Sequence, residues 1–115
     1  MTVYNDLLTV DRKLPRLGIP LHPTREDVPP PHHTTRLPSL GDNKQTRQVR
    51  NIFNAAVSNH QHYRTTLRNT CLKRAVKGYN AVINFAPLSQ DSEMGGLATD
   101  NLSQIAPLFQ LQFSP

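Results

Sequence analysis

Acidic residues are missing from the whole stretch between Asn43 and Gln90, which carries eight lysines and arginines: Lys44, Arg47, Arg50, Arg64, Arg68, Lys73, Arg74 and Lys77. Residues 1–42 balance five bases against five acids, and residues 91–115 hold three acids and no base. The formal net charge of +5 is therefore a basic middle between a neutral and an acidic end. Charge segregated in this way bears on partners and association rates, and it calls for an anionic partner.

Tryptophan is absent, aromatics make up 6% of the chain and hydrophobic residues 37%. A chain of 115 residues so composed forms one domain at most. The single cysteine, Cys71, excludes an internal disulfide and a cysteine-rich zinc module. No apolar run approaches the roughly 20 residues of a spanning helix. The first ten residues contain an acid and no positive charge, unlike the start of a secretory signal. These absences give an expectation of a soluble intracellular protein, free or within a particle such as a ribonucleoprotein or virion, with no membrane partner.

Proline, by contrast, is abundant: seven of the ten prolines fall between Pro15 and Pro38. So punctuated a segment neither runs as helix nor donates a full ladder of sheet hydrogen bonds. Pro29-Pro30-Pro31 favours polyproline II geometry. Residues 1–42 are therefore expected to form an extended arm whose order comes from a surface it lies on, serving as a spacer or a clamp. Residues 2–10 fit a short strand or a helical turn equally well.

After Gly41, Asp42 or Asn43 is placed to cap a helix. Val49, Ile52, Phe53, Ala56 and Val57 then follow at helical spacing, with Lys44, Arg47 and Asn51 on the other side. Ser58 and Gln61 match a capping box, which predicts a break near Val57. Tyr63, Leu67, Cys71, Ala75 and Tyr79 recur every four residues, a stripe that suits a second helix better than one long bent helix. Gly78 is a candidate stop. Residues 79–85 read as a strand or as more helix, and residues 88–98, with Gly95-Gly96, as a loop. Asp100 to Ile105 reads as a single turn ended by Pro107. Phe109, Leu111 and Phe113 alternate with polar residues and predict a strand-like tail. The expected fold class is mainly α: a small helical hairpin over about 43–77, with an extended proline-rich N-terminal arm and a short β-like C-terminal tail. The parts are an arm (1–42), a basic helical module (43–86) and a loop with docking tail (87–115).

Catalytic and metal-binding patterns are weak. His22, His32, His33, His60 and His62 do not combine with Cys71 into any closed zinc pattern. Cys71 sits on an apolar stripe, and the paired acids Glu26-Asp27 and Asp91-x-Glu93 fall in loop-like stretches. Gly95-Gly96 lacks the spacing and lysine of a phosphate loop. No enzyme, cofactor, metal or small-molecule substrate is expected. The expectation is a structural protein whose eight basic residues contact RNA or another polyanion while its arms dock on protein neighbours through Pro29, Pro30, Pro31, Phe109, Leu111 and Phe113. The alternative is a minor shell or cementing protein that makes only protein contacts through its arms.

Overall fold

A computed structural model describes residues 22–113, and the readings made for residues 1–21 lie outside it. Among the described residues three helices follow one another: α1 (Lys44–Thr66), α2 (Asn69–Phe85) and α3 (Glu93–Phe113), with short 3-10 turns at Arg25–Asp27 and Ala86–Leu88. The described residues contain no strand. Asn43 caps α1 as its side chain accepts the Thr46 amide, satisfying one of the free N–H groups of the first turn.

The helical hairpin is present, but its break is not at Val57. Ser58 lies exposed inside α1, and the chain turns at Leu67, whose left-handed backbone (φ 60°) ends the helix while its amide bonds the Tyr63 carbonyl. The stripe beginning at Tyr63 thus belongs to two helices. Gly78 is not a stop either. It lies within α2, where a Cβ would come within 2.8 Å of the Ala56 Cβ, so its missing side chain is what lets α1 and α2 cross closely.

The strand-like tail is corrected by the structure: Phe109, Leu111 and Phe113 belong to α3. Alternation over five residues is overruled by a longer stripe, Met94, Ala98, Asn101, Ile105 and Leu108, all buried at helical spacing. Phe109 and Phe113, four apart, bring their ring centroids to 4.9 Å. Pro107 is accommodated because it and Ser103 are exposed, so the Ser103 carbonyl, which loses the N–H that proline lacks, lies on the wet side of the helix. Helix also replaces the expected loop from Glu93 onward and the single turn at Asp100.

The side-chain ties fix the course of the bundle. Gln90 bonds Asn43 and Thr46, setting the starts of α1 and α3 together, while Asn69 at the start of α2 reaches Gln112 near the end of α3. The helices therefore run up, down and up. Phe53, Tyr63, Leu72, Tyr79, Val82, Met94, Ile105 and Leu108 fill one core.

The described part of the proline-rich arm is a strap. From Val28 to Arg36 it runs antiparallel to both α1 and α3, passing Arg64 and His60 first and Asn54 last on one side, and Gln104, Asn101 and finally Asp91 on the other. Val28 and Pro31 are buried and Pro30 between them is exposed. Inward positions three apart match the period of polyproline II.

Candidate nucleic-acid interface

The fold separates the eight basic residues into those it uses internally and those it presents. Arg50 is buried, 4% exposed, with its guanidinium on Asp42 and, at 3.5 Å, on Asp91. Asp91 also pairs with Arg36. This hub brings Arg50 an acid from either flank of the acid-free stretch, and Arg50 is consequently unavailable to an external partner. Asp42 is pushed up by burial, but the Ser39 amide and the Arg50 and Arg47 guanidinia outweigh that and hold it below the ordinary 3.8. Arg47 donates to the Asp42 carbonyl, and Arg64 donates from Nε to the Val28 carbonyl at 2.9 Å.

The rest lie on the surface. On α2, Thr70, Lys73, Arg74, Lys77, Asn80 and Asn84 are all exposed and fall on one stripe of the helix, opposite the buried Leu72, Ala75, Val76, Tyr79 and Val82. At 1.5 Å per residue the stripe is about 21 Å long. Arg68 stands just before its Thr70 end. Because α1 and α2 are antiparallel, Lys44 lies toward its Asn84 end. Among the described residues no carboxylate is within ion-pair distance of Lys44, Arg68, Lys73, Arg74 or Lys77. Lys73 also stands over the Phe113 ring, its Nζ 5.7 Å from the centroid.

The expected docking residues divide as well. Pro31 is buried, Pro29 is half-buried with its carbonyl on His60, and exposed Pro30 gives its carbonyl to Gln104. The three prolines thus dock on the chain's own helices. Phe109 and Leu111 are half-buried, and Phe113 is at the surface. Other large apolar side chains that the sequence did not single out are exposed: Leu37 (81%), Leu40 (104%), Phe85 (48%) and Leu88 (64%). Phe85 borders a shallow groove of about 520 Å³ with Gln45, Gln48, Val49, Asn51 and Ile52.

A second polar centre, also missed in the sequence, holds the strap. His60 is fully buried, with Nε2 2.9 Å from the Pro29 carbonyl and Nδ1 2.9 Å from the Tyr79 hydroxyl. A carbonyl only accepts, so Nε2 carries the proton and Nδ1 accepts from Tyr79. Burial, reinforced by Arg64 and His32, lowers the pKa of His60 below 6.5, against the opposing pull of the Pro29 carbonyl. Burial likewise raises Tyr79 and Tyr63, for Tyr79 against the effect of the Asn101 side chain bonded to it. Asn101 accepts from the His33 amide and donates to the His33 carbonyl, while Gln104 accepts from the His32 amide and donates to the Pro30 carbonyl. Two amide side chains three apart on a helix were the available signal, obscured by reading that segment as a single turn.

Among the described residues no group of three or more His, Cys, Asp or Glu is placed to hold a metal ion, and no helix is long and apolar enough to cross a membrane. The chain matches no family model, and comparison with curated proteins and with solved structures gives no match.

Proposed function

We propose that the protein is a non-enzymatic RNA-binding subunit of a larger assembly that lays the outer face of α2 along a phosphate backbone. The observation that carries this reading is the acid-free stripe of Lys73, Arg74 and Lys77 among Thr70, Asn80 and Asn84. Lysines supply point charge, Arg74 a planar fork for phosphate oxygens, and the asparagines and threonine hydrogen bonds that suit ribose 2′-hydroxyls. Arg68 and Lys44 extend the field at either end, while Arg47 and Arg64, tied to carbonyls, contribute less.

The test is fluorescence anisotropy with a labelled duplex RNA and a matched duplex DNA across a salt series. Changing Lys73, Arg74 or Lys77 singly to Gln should weaken binding to all sequences and reduce the salt slope by about one. An unchanged slope in all three, or no binding at low salt, rejects the reading.

A second reading, a shell or cementing protein making only protein contacts, is favoured by the exposure of Leu37, Leu40, Phe85 and Leu88. Under it, Leu40→Ser and Phe85→Ser block incorporation into the particle, whereas Lys73→Gln and Lys77→Gln leave it intact.

A further inference from the structure

We infer that the groove between α1 and α3 is a peptide-binding site that accepts the Val28–Arg36 strap of a second copy as well as its own, so that copies can be tied together by exchanging straps. The groove reads main chain. The carbonyls of Val28, Pro29, Pro30 and His33 and the amides of His32, His33 and Arg36 are all bonded by side chains of α1 or α3. Asn101 and Gln104 each take one amide and one carbonyl, the pairing that an extended peptide presents and a helical one does not.

The strap is built as a ligand in its own right. Three of its groove-bonded carbonyls follow one another from Val28 to Pro30, and the prolines at 29, 30 and 31 restrict the backbone before binding, which lowers the entropy of docking. Selectivity comes from Val28 and Pro31, the two buried side chains, so the motif is an apolar residue three before a proline.

Between strap and α1 lie Leu37 to Gly41, all exposed, and Gly41 turns at φ +89° with no atom near its absent Cβ. These five residues are a hinge with little packing to lose on opening. A second copy offers the same strap with the same contacts, so exchange conserves every bond in the groove and costs mainly the entropy of association. The same hinge would also let Arg36 leave its pairing with Asp91 and remake it on the partner.

The experiment uses the full chain with Val28→Ser and Pro31→Ser, which removes the strap's two buried anchors and so weakens its hold without altering the groove, and a labelled synthetic peptide spanning residues 24–38. The peptide should bind saturably, and adding Asn101→Ala or Gln104→Ala should weaken it about tenfold or more, the equivalent of one or more buried hydrogen bonds. Should the variant lose its helical circular dichroism, recovery of that signal on adding peptide is the supporting result. As an independent route, wild-type protein cut at a protease site inserted after Leu40 should exchange its strap for the labelled peptide. Finally, donor-labelled Thr24→Cys and acceptor-labelled Ser103→Cys copies, both with Cys71→Ser, should show energy transfer that grows with protein concentration. Failure of the peptide to bind this variant and to replace the cut strap overturns the site. Peptide binding without copy-to-copy transfer overturns the second copy as its occupant.

Discussion

His60 uses its two ring nitrogens for opposite tasks, donating to the strap at Pro29 and accepting from α2 at Tyr79. Replacing it by Leu leaves a buried hydroxyl proton and a carbonyl unpaired, at about 1–3 kcal/mol each, so His60→Leu should destabilise the fold by about 2–4 kcal/mol in urea unfolding. His60→Gln, with one donor and one acceptor, should recover part of this. Arg50 offers a second test at the same scale. Arg50→Met strips the half-buried carboxylates of Asp42 and Asp91 of a shared, buried cation, whereas Arg47→Met removes an exposed contact to a carbonyl. Thermal melts should therefore rank Arg50→Met well below Arg47→Met, and equal melting temperatures would remove the hub from the account of stability. Arg50's role was not legible in the sequence because its partners lie 8 residues upstream and 41 downstream. Charge counted along the chain says nothing about charge brought together by folding.

Helix α1 was legible because its apolar stripe and its cap agree: Val49, Phe53, Ala56 and Val57 face the core and Asn43 closes the first turn. Its end was not, since the residue that breaks it is Leu67 rather than the glycine usual in left-handed backbone. Helix α3 was obscured by Gly95, Gly96 and Pro107, each a local breaker, and recovered by the burial of Met94, Ala98, Ile105 and Leu108 against the other helices. Tertiary packing outweighed propensity there. The glycine with a structural duty is Gly78. Gly78→Ala gains about 1 kcal/mol of helix propensity but drives a Cβ into Ala56, whose short side chain has no rotamer to yield. Overpacking of this kind costs about 1–3 kcal/mol. The net expectation is a lower melting temperature with helix content retained. Pairing Gly78→Ala with Ala56→Gly should restore much of the packing loss, and failure to do so would place the strain elsewhere.

Across the whole molecule, two polar centres pin the proline-rich segment to the bundle: His60 with Asn101 and Gln104 near the strap's start, and Arg50 with Asp42 and Asp91 at its far end. The sequence showed that the arm needed a surface, but not that the helices of the same chain provide it, and it directed the basic stretch to an anionic partner without showing that Arg50 is paired inside the fold. Acid should undo the two centres in order. His60 has a depressed pKa in the fold, so the unfolded chain binds its proton first. Its contribution is complete above about pH 6.5 and is lost as pH falls from there through its own lower pKa, at no more than about 1.4 kcal/mol per pH unit. Asp42, also depressed, contributes above about pH 3.8 and is lost only as pH falls below that. The protonated imidazole would face Arg64 and His32, and its Nδ1–H would turn toward the Tyr79 hydroxyl that now donates to it. Hydrogen exchange read by mass spectrometry across pH 7 to 3, corrected for intrinsic rates, should show the His32 and His33 amides losing protection in the first stage while α1 and α2 stay protected. In His60→Gln that first stage should vanish and the second remain. If strap and helices lose protection together in both proteins, the strap is not separately held and the ordering is refuted.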